Sequence, residues 1–159
     1  MSEDGFSGMM RRAEEAMQRS PRDVVEADAA NPMGHDEFDT AIYLALLGRI
    51  PYAVDLERHP PAVQAYLSTR MVEWEIGRGG VPSARDYAAE YLDMAKAGYR
   101  LLGQHHSAEL VERIATADTD EELEEIMGAI EGPPWNGVPW ADAERVALVR
   151  ASRAQFLID

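Results

Sequence analysis

The chain contains no cysteine. That removes disulfides, a thiol nucleophile and any thiolate metal site, and it is the usage of a reducing compartment. No apolar run approaches the roughly 20 residues that span a bilayer. The first dozen residues carry Glu3 and Asp4 and no apolar h-region, so no secretory signal is read there and the expected location is cytoplasmic. Positive charge is also scarce. Asp and Glu number 29 against 15 Lys and Arg, a formal net charge of −14. A field of that size repels nucleic acid and anionic membranes and attracts basic surfaces. No strand-like segment, internal repeat or low-complexity tract is present.

What is present is ordinary globular composition, 46% hydrophobic and 28% charged over 159 residues. That length suits a single domain able to bury about two-thirds of its unfolded surface. Helix signals follow one another. Residues 1–8 read as frayed, and a first helix runs from Ser7 or Gly8 to about Arg19. Ser20, Pro21 and Asp23 form a capping box for a second helix, which ends at Asn31 before Pro32. A third spans about His35 to Arg49, with Phe38, Ile42, Ala45 and Leu46 inward, and Pro51 stops it. Pro60 and Pro61 open a fourth, with Val63, Leu67, Met71 and Trp74 on its inward face and Gly77, Gly79 and Gly80 as its end.

Ser83 and Asp86 read as a second capping box, starting a long helix to about Leu102. Its stripe is Tyr87, Tyr91, Met94, Gly98 and Leu101 or Leu102, and Gly103 closes it. Ser107 starts a short helix. Thr119 and Glu122 cap another, with Leu123, Ile126, Met127 and Ile130 inward and Gly132 at its end. Residues 132–139 form a Pro/Gly/Trp loop, and a last helix runs from about Trp140 to Phe156. The expected fold is all-α: one domain over residues 1–159, about six to eight helices and no sheet. The turn at Gly79 and Gly80 is expected to place one of them at positive φ.

The clearest non-random feature is a charge gap. Between Arg113 and Arg145 no basic residue occurs, while Asp118, Asp120, Glu121, Glu122, Glu124, Glu125, Glu131, Asp142 and Glu144 do. Helical spacing puts Glu121, Glu124 and Glu125 on outer faces. First-turn acids complement a helix dipole and acidic faces aid solubility. The same row can also be recognised by a cationic surface, since carboxylates accept paired arginine hydrogen bonds as phosphates do. Asp118, Asp120, Glu121, Glu122, Glu124 and Glu125 are the partner-binding residues on that reading, and most are expected to lack an internal basic partner.

Other constellations carry less chemistry. His105, His106 and Glu109 share a helix face if the helix extends back that far, but no third metal ligand is defined nearby. His35, Asp36, Glu37 and Asp39 read as a solvated first turn, and His59 has no role. Metal and cofactor are expected to be absent. No serine sits in a nucleophile elbow, and residues 77–80 lack the strand, lysine and hydroxyl of a phosphate loop. Trp135 and Trp140 are read as pinning the loop to the core, with ligand stacking as the alternative.

Residues 74–81, Trp-Glu-Ile-Gly-Arg-Gly-Gly-Val, followed by Tyr87, Tyr91 and the pair Leu102 and Gly103, resemble a bacterial family of all-helical domains of mostly unknown function. In that family a helix ends in Glu-aliphatic-x-Asn-Gly-Gly-aromatic. Glu75, Ile76, Gly79 and Gly80 match, whereas Arg78 replaces the asparagine and Val81 the aromatic. The similarity covers about residues 40–115. The family includes an acidic dimeric DNA-mimic protein that occupies a transcription factor's DNA-binding surface. The resemblance therefore implies a dimer and a partner that binds DNA. Glu75 is read as bonding the amides of the Gly-Gly turn, with a functional carboxylate as the alternative.

Three functional readings follow. The first is a non-catalytic protein binding a basic partner, as a DNA mimic or inhibitor of a DNA-binding protein, with no direct nucleic-acid or membrane contact. The second is an immunity-type protein that neutralises a basic toxin or effector. The third is a small enzyme using a carboxylate near residues 77–80, for which the sequence shows no paired acid or base.

Overall fold

The computed structural model describes residues 3–130, 132 and 139–159. The acid at Glu131 and the turn signals at Pro133, Pro134, Trp135, Asn136 and Gly137 lie outside the described residues. Nine α-helices and two 3-10 turns are formed among the described residues, without a strand. They are α1 (Glu3–Gln18), α2 (Pro21–Ala30), α3 (His35–Leu47), α4 (Ala53–Leu56), α5 (Pro61–Tyr87), α6 (Leu92–Leu101), α7 (His105–Thr116), α8 (Asp120–Ala129) and α9 (Asp142–Ala151). The 3-10 turns are Ala89–Tyr91 and Arg153–Phe156. The all-α expectation holds, with more helices than the six to eight read from sequence.

Two capping boxes form as read. Ser20 Oγ accepts from the Asp23 amide, and Asp23 Oδ2 accepts from the Ser20 amide in return. Thr119 and Glu122 do the same for α8. The third does not form. Val81 is already helical, because the break is confined to Gly79 and Gly80, and Gly80 carries the positive φ, at φ 75° and ψ −171°. Pro82 then falls in the first turn of the resumed helix, where its missing N–H costs nothing. Ser83 is therefore inside the helix, and its hydroxyl donates to Glu75 Oε2 at 2.7 Å. The helix that was to reach Leu102 is instead broken at Ala88, and a 3-10 turn precedes α6.

Other boundaries move. Residues 3–8, expected to fray, belong to α1. The four-residue α4 follows Tyr52, where no periodic pattern is long enough to reveal it. α7 begins at His105 rather than Ser107, and the final helix is shorter at both ends, its last turn tightening to 3-10. Gly103 and Gly132 take positive φ as terminators, at 75° and 73°.

α5 is the axis of the fold. It packs against α6, α8, α9, α7 and α4, while α1 and α2 lie on α3. The α5–α6 approach depends on Gly98, where a Cβ would lie 2.8 Å from Ala65 Cα. One hydrophobic cluster runs from Val24 through Phe38, Ile76 and Val111 to Phe156. No helix among the described residues is long and apolar enough to cross a membrane.

Asp28 ties the chain's two ends together. It is fully buried and accepts from the Met33 amide, from Arg150 Nε and Nη2, and from Arg153 Nη2. Burial acts to raise its pKa, but the Arg150, Met33 and Arg153 hydrogen bonds outweigh it and hold the carboxyl below its ordinary value. A folded pKa below the unfolded one gives stabilisation that is complete above the unfolded value, about 4, and is lost as pH falls through the folded value. Asp28→Asn should therefore destabilise at pH 7, and the gap from wild type should narrow below about pH 4. Urea melts of both proteins across that range test this. A gap that stays constant would separate Asp28 from the acid limb.

Candidate functional site

Two regions emerge, an acidic face on α8 and a cavity beside α5. On α8, Leu123 and Ile126 are buried and Met127 half-buried, which leaves Glu121, Glu122, Glu124 and Glu125 exposed. Asp118 and Asp120, just before and at the start of α8, are exposed as well. Glu122 Oε2 is engaged by the amides of Asp118 and Thr119. Asp120 has a distant partner the sequence could not show, Arg85 Nη1 at 3.7 Å. Glu121, Glu124 and Glu125 have no ion pair among the described residues. A polar cleft of about 230 Å³ lies at their base, between the end of α7 and α8, lined by Arg113, Thr116, Glu122 and Glu125.

The larger cavity, about 400 Å³, is built on one face of α5. Arg70, Glu73, Trp74, Gly77 and Arg78 recur at three- and four-residue spacing and line it, with Tyr43 of α3, Pro139 and Arg145 of α9 around them. Trp74 was expected inward, on a stripe with Val63, Leu67 and Met71. It faces the open cavity and is 62% exposed, because nothing among the described residues fills the space in front of it. Tyr87, also expected inward, is 70% exposed.

The cavity floor is a buried ionic network. Arg145 is completely buried and grips Glu73 with two bonds, Nη1 to Oε1 at 2.9 Å and Nη2 to Oε2 at 2.7 Å. Its Nη1 also reaches Thr69 Oγ1, and Tyr99 donates to Glu73 Oε1 at 2.7 Å. Burial opposes the charge on Arg145, yet the Glu73 pairing outweighs it and raises the pKa, so the guanidinium stays charged. Burial first, and Glu73 second, push the Tyr99 phenol well up, so it remains a donor. The Arg145 Nε–H has no acceptor among the described residues.

The rim carries two further arginines, each anchored. Arg70 bonds Asp39 and lies 4.2 Å over the Tyr43 ring. Arg78 donates Nε and Nη2 to Glu75 Oε2 at 3.2 and 2.8 Å, and lies 5.3 Å over Tyr87. Glu75 is thus held by Arg78 and Ser83 instead of by the amides of Gly79 and Gly80. Oε2 accepts all three of those bonds, which makes Glu75 a strut that positions Arg78. Asp39 likewise is no solvated first-turn acid. It is buried, pairs with Arg70, and accepts from the Tyr66 hydroxyl at 2.6 Å.

His105, His106 and Glu109 are exposed on the first turns of α7 and assemble nothing. His35 and Asp36 do gain a third potential ligand from across the fold, Asp142, with all three ligand atoms within 4.8 Å. The reading of His35 and Asp36 as part of a solvated first turn misses this carboxylate neighbour, since 107 residues separate His35 from Asp142. The 2.7 Å His35–Asp142 hydrogen bond accounts for the geometry. Both residues begin helices, α3 and α9, whose positive dipole ends disfavour a cation. Trp140 is half-buried and meets Tyr99 edge-on at 5.9 Å, so it pins the end of the loop to the core as read.

No family model matches the chain, and no curated protein or solved structure matches it.

Proposed function

We propose that the protein is a non-catalytic binding protein whose α8 face docks on a basic protein surface of the kind that holds DNA phosphates. The single observation behind this is a mismatch in charge use. The arginines are largely turned onto the chain's own acids, at Asp28, Asp39, Glu73 and Glu75. Glu121, Glu124 and Glu125 meanwhile stand in solvent unpaired among the described residues. A rigid helix presents them, and the cleft beside Glu122 and Glu125 is polar enough to receive a cationic side chain. Guanidinium forks bind carboxylates and phosphates with the same geometry.

The test is capture of partners from the native host, with the Glu121→Lys/Glu124→Lys variant alongside wild type. Association with a retained basic partner should slow by about tenfold at low salt, and wild-type binding should weaken as the Debye length falls below about 10 Å. Duplex DNA should compete if the partner is a DNA-binding protein. Exposed helix positions tolerate such changes within about 0.5 kcal/mol, so melting serves as the control. Equal affinity of the reversed variant at low salt would reduce the row to a dipole-matched, solubilising first turn.

A further inference from the structure

The cavity beside α5 is independent of the acidic face, and arginine donors, each held in an ion pair, dominate the charged groups of its described lining. In a chain of net charge −14, its lining brings together three arginines, Arg70, Arg78 and Arg145, against one glutamate, Glu73. We propose that this cavity is a binding site for a small ring-bearing anion, the ring lying on Trp74 and the carboxylate or phosphate meeting the rim guanidiniums of Arg70 and Arg78.

Four observations support it. The volume, about 400 Å³, falls in the range of small-molecule sites, roughly 300–1,000 Å³. Trp74 exposes a large flat apolar surface at the mouth, from a stripe whose spacing otherwise buries side chains. A stacked ring would remove that surface from water. The rim arginines are preorganised. Asp39 and Tyr43 fix Arg70, while Glu75, itself bound by Ser83, and Tyr87 fix Arg78. Guanidinium carries five N–H donors, and Arg78 commits only Nε and Nη2, so donors remain for an anion. Finally, Arg145 lines the cavity completely buried, with an Nε–H that has no acceptor among the described residues. Such an orphan donor is costly in a protein interior, and it marks the floor as a polar recognition surface. Gly77 also lines the cavity, between Trp74 and Arg78 on α5.

The experiment uses the full chain and four probes: adenosine monophosphate, indole-3-acetate, adenosine and inorganic phosphate. Titration calorimetry and tryptophan fluorescence are the readouts. At least one of the two ring-bearing anions should bind with Kd below about 1 mM and perturb the fluorescence, with adenosine and phosphate at least about tenfold weaker. Binding of the nucleotide alone identifies a phosphate site and binding of the indole acid alone a carboxylate site. Trp74→Leu and Arg78→Gln should each weaken binding by about tenfold. Gly77→Leu, which suits a helix better than glycine, should block the cavity while the melting temperature holds. Glu121→Lys/Glu124→Lys should bind the probe as wild type does, so failure of the acidic-face reading leaves this one standing. The proposal is overturned if neither ring-bearing anion binds by about 1 mM, if adenosine binds as tightly as its monophosphate while the indole acid does not bind, or if Trp74→Leu and Gly77→Leu both bind like wild type.

Discussion

Glu73→Gln is expected to cost about 3–5 kcal/mol of stability, the largest single effect in the molecule. Arg145 has no exposure to water and both its terminal nitrogens end on Glu73. Glutamine keeps the volume but cannot neutralise the guanidinium, so a full positive charge is left inside the fold. It also offers one acceptor oxygen where Arg145 and Tyr99 now share two. The guanidinium cannot escape by losing its proton, because its pKa lies far above any working pH. The double variant Glu73→Leu/Arg145→Met should recover most of the loss, since removing both charges abolishes the desolvation problem. A urea-denaturation double-mutant cycle measures this, and the expected coupling energy is strongly non-additive. A Glu73→Gln cost below about 1 kcal/mol would mean that water reaches Arg145 and that the network is not closed.

The sequence could not have announced that network. Glu73 and Arg145 are 72 residues apart, and a helical pattern sorts charged residues outward by default. The only local hint is position. Glu73 follows Val72 and lies one turn before Ile76, both buried. The same limit hid the cavity, whose wall comes from α3, α5 and α9 together. Trp74 misled for a related reason. Periodicity reports which face a side chain shares, not whether that face is filled, and here no described residue covers the face with Arg70 and Arg78.

What was legible was local chemistry. The Ser20 and Thr119 capping boxes formed because each hydroxyl precedes a helix whose first amides have no other acceptor. The Ser83 box carried the same residue types and failed, because Gly80 let the helix resume three residues earlier and Ser83 met Glu75 first. The net charge and the outward face of α8 were also readable, since burial of Leu123 and Ile126 fixes where the glutamates point. Pairing was only half readable. Arg85 reaches Asp120 from 35 positions away, a distance no helical-turn argument covers.

Gly80→Ala is expected to cost about 2–3 kcal/mol, and its reach extends beyond the turn. At φ 75° and ψ −171° Gly80 occupies a region essentially closed to residues with a Cβ, unlike the ordinary left-handed region used at helix ends. Gly103, at φ 75° with open space where its Cβ would be, provides the comparison, and Gly103→Ala should cost only about 1 kcal/mol. Gly79 has an ordinary negative φ of −144°, but a Cβ there would lie 2.8 Å from Ser83 Cβ and 2.9 Å from its Oγ. The two glycines therefore serve different purposes, one permitting the turn and the other admitting Ser83 to Glu75. Since Ser83 and Glu75 hold Arg78 at the cavity rim, Gly79→Ala should lower anion affinity more than its stability cost suggests. Melting curves for the three alanine variants, with calorimetric titration of the best-binding probe, resolve the order. A Gly80→Ala variant no less stable than Gly103→Ala would show that the helix can cross this point without the turn. Ser83 would then have no structural reason to face Glu75, and the anchoring of Arg78 would lose its cause.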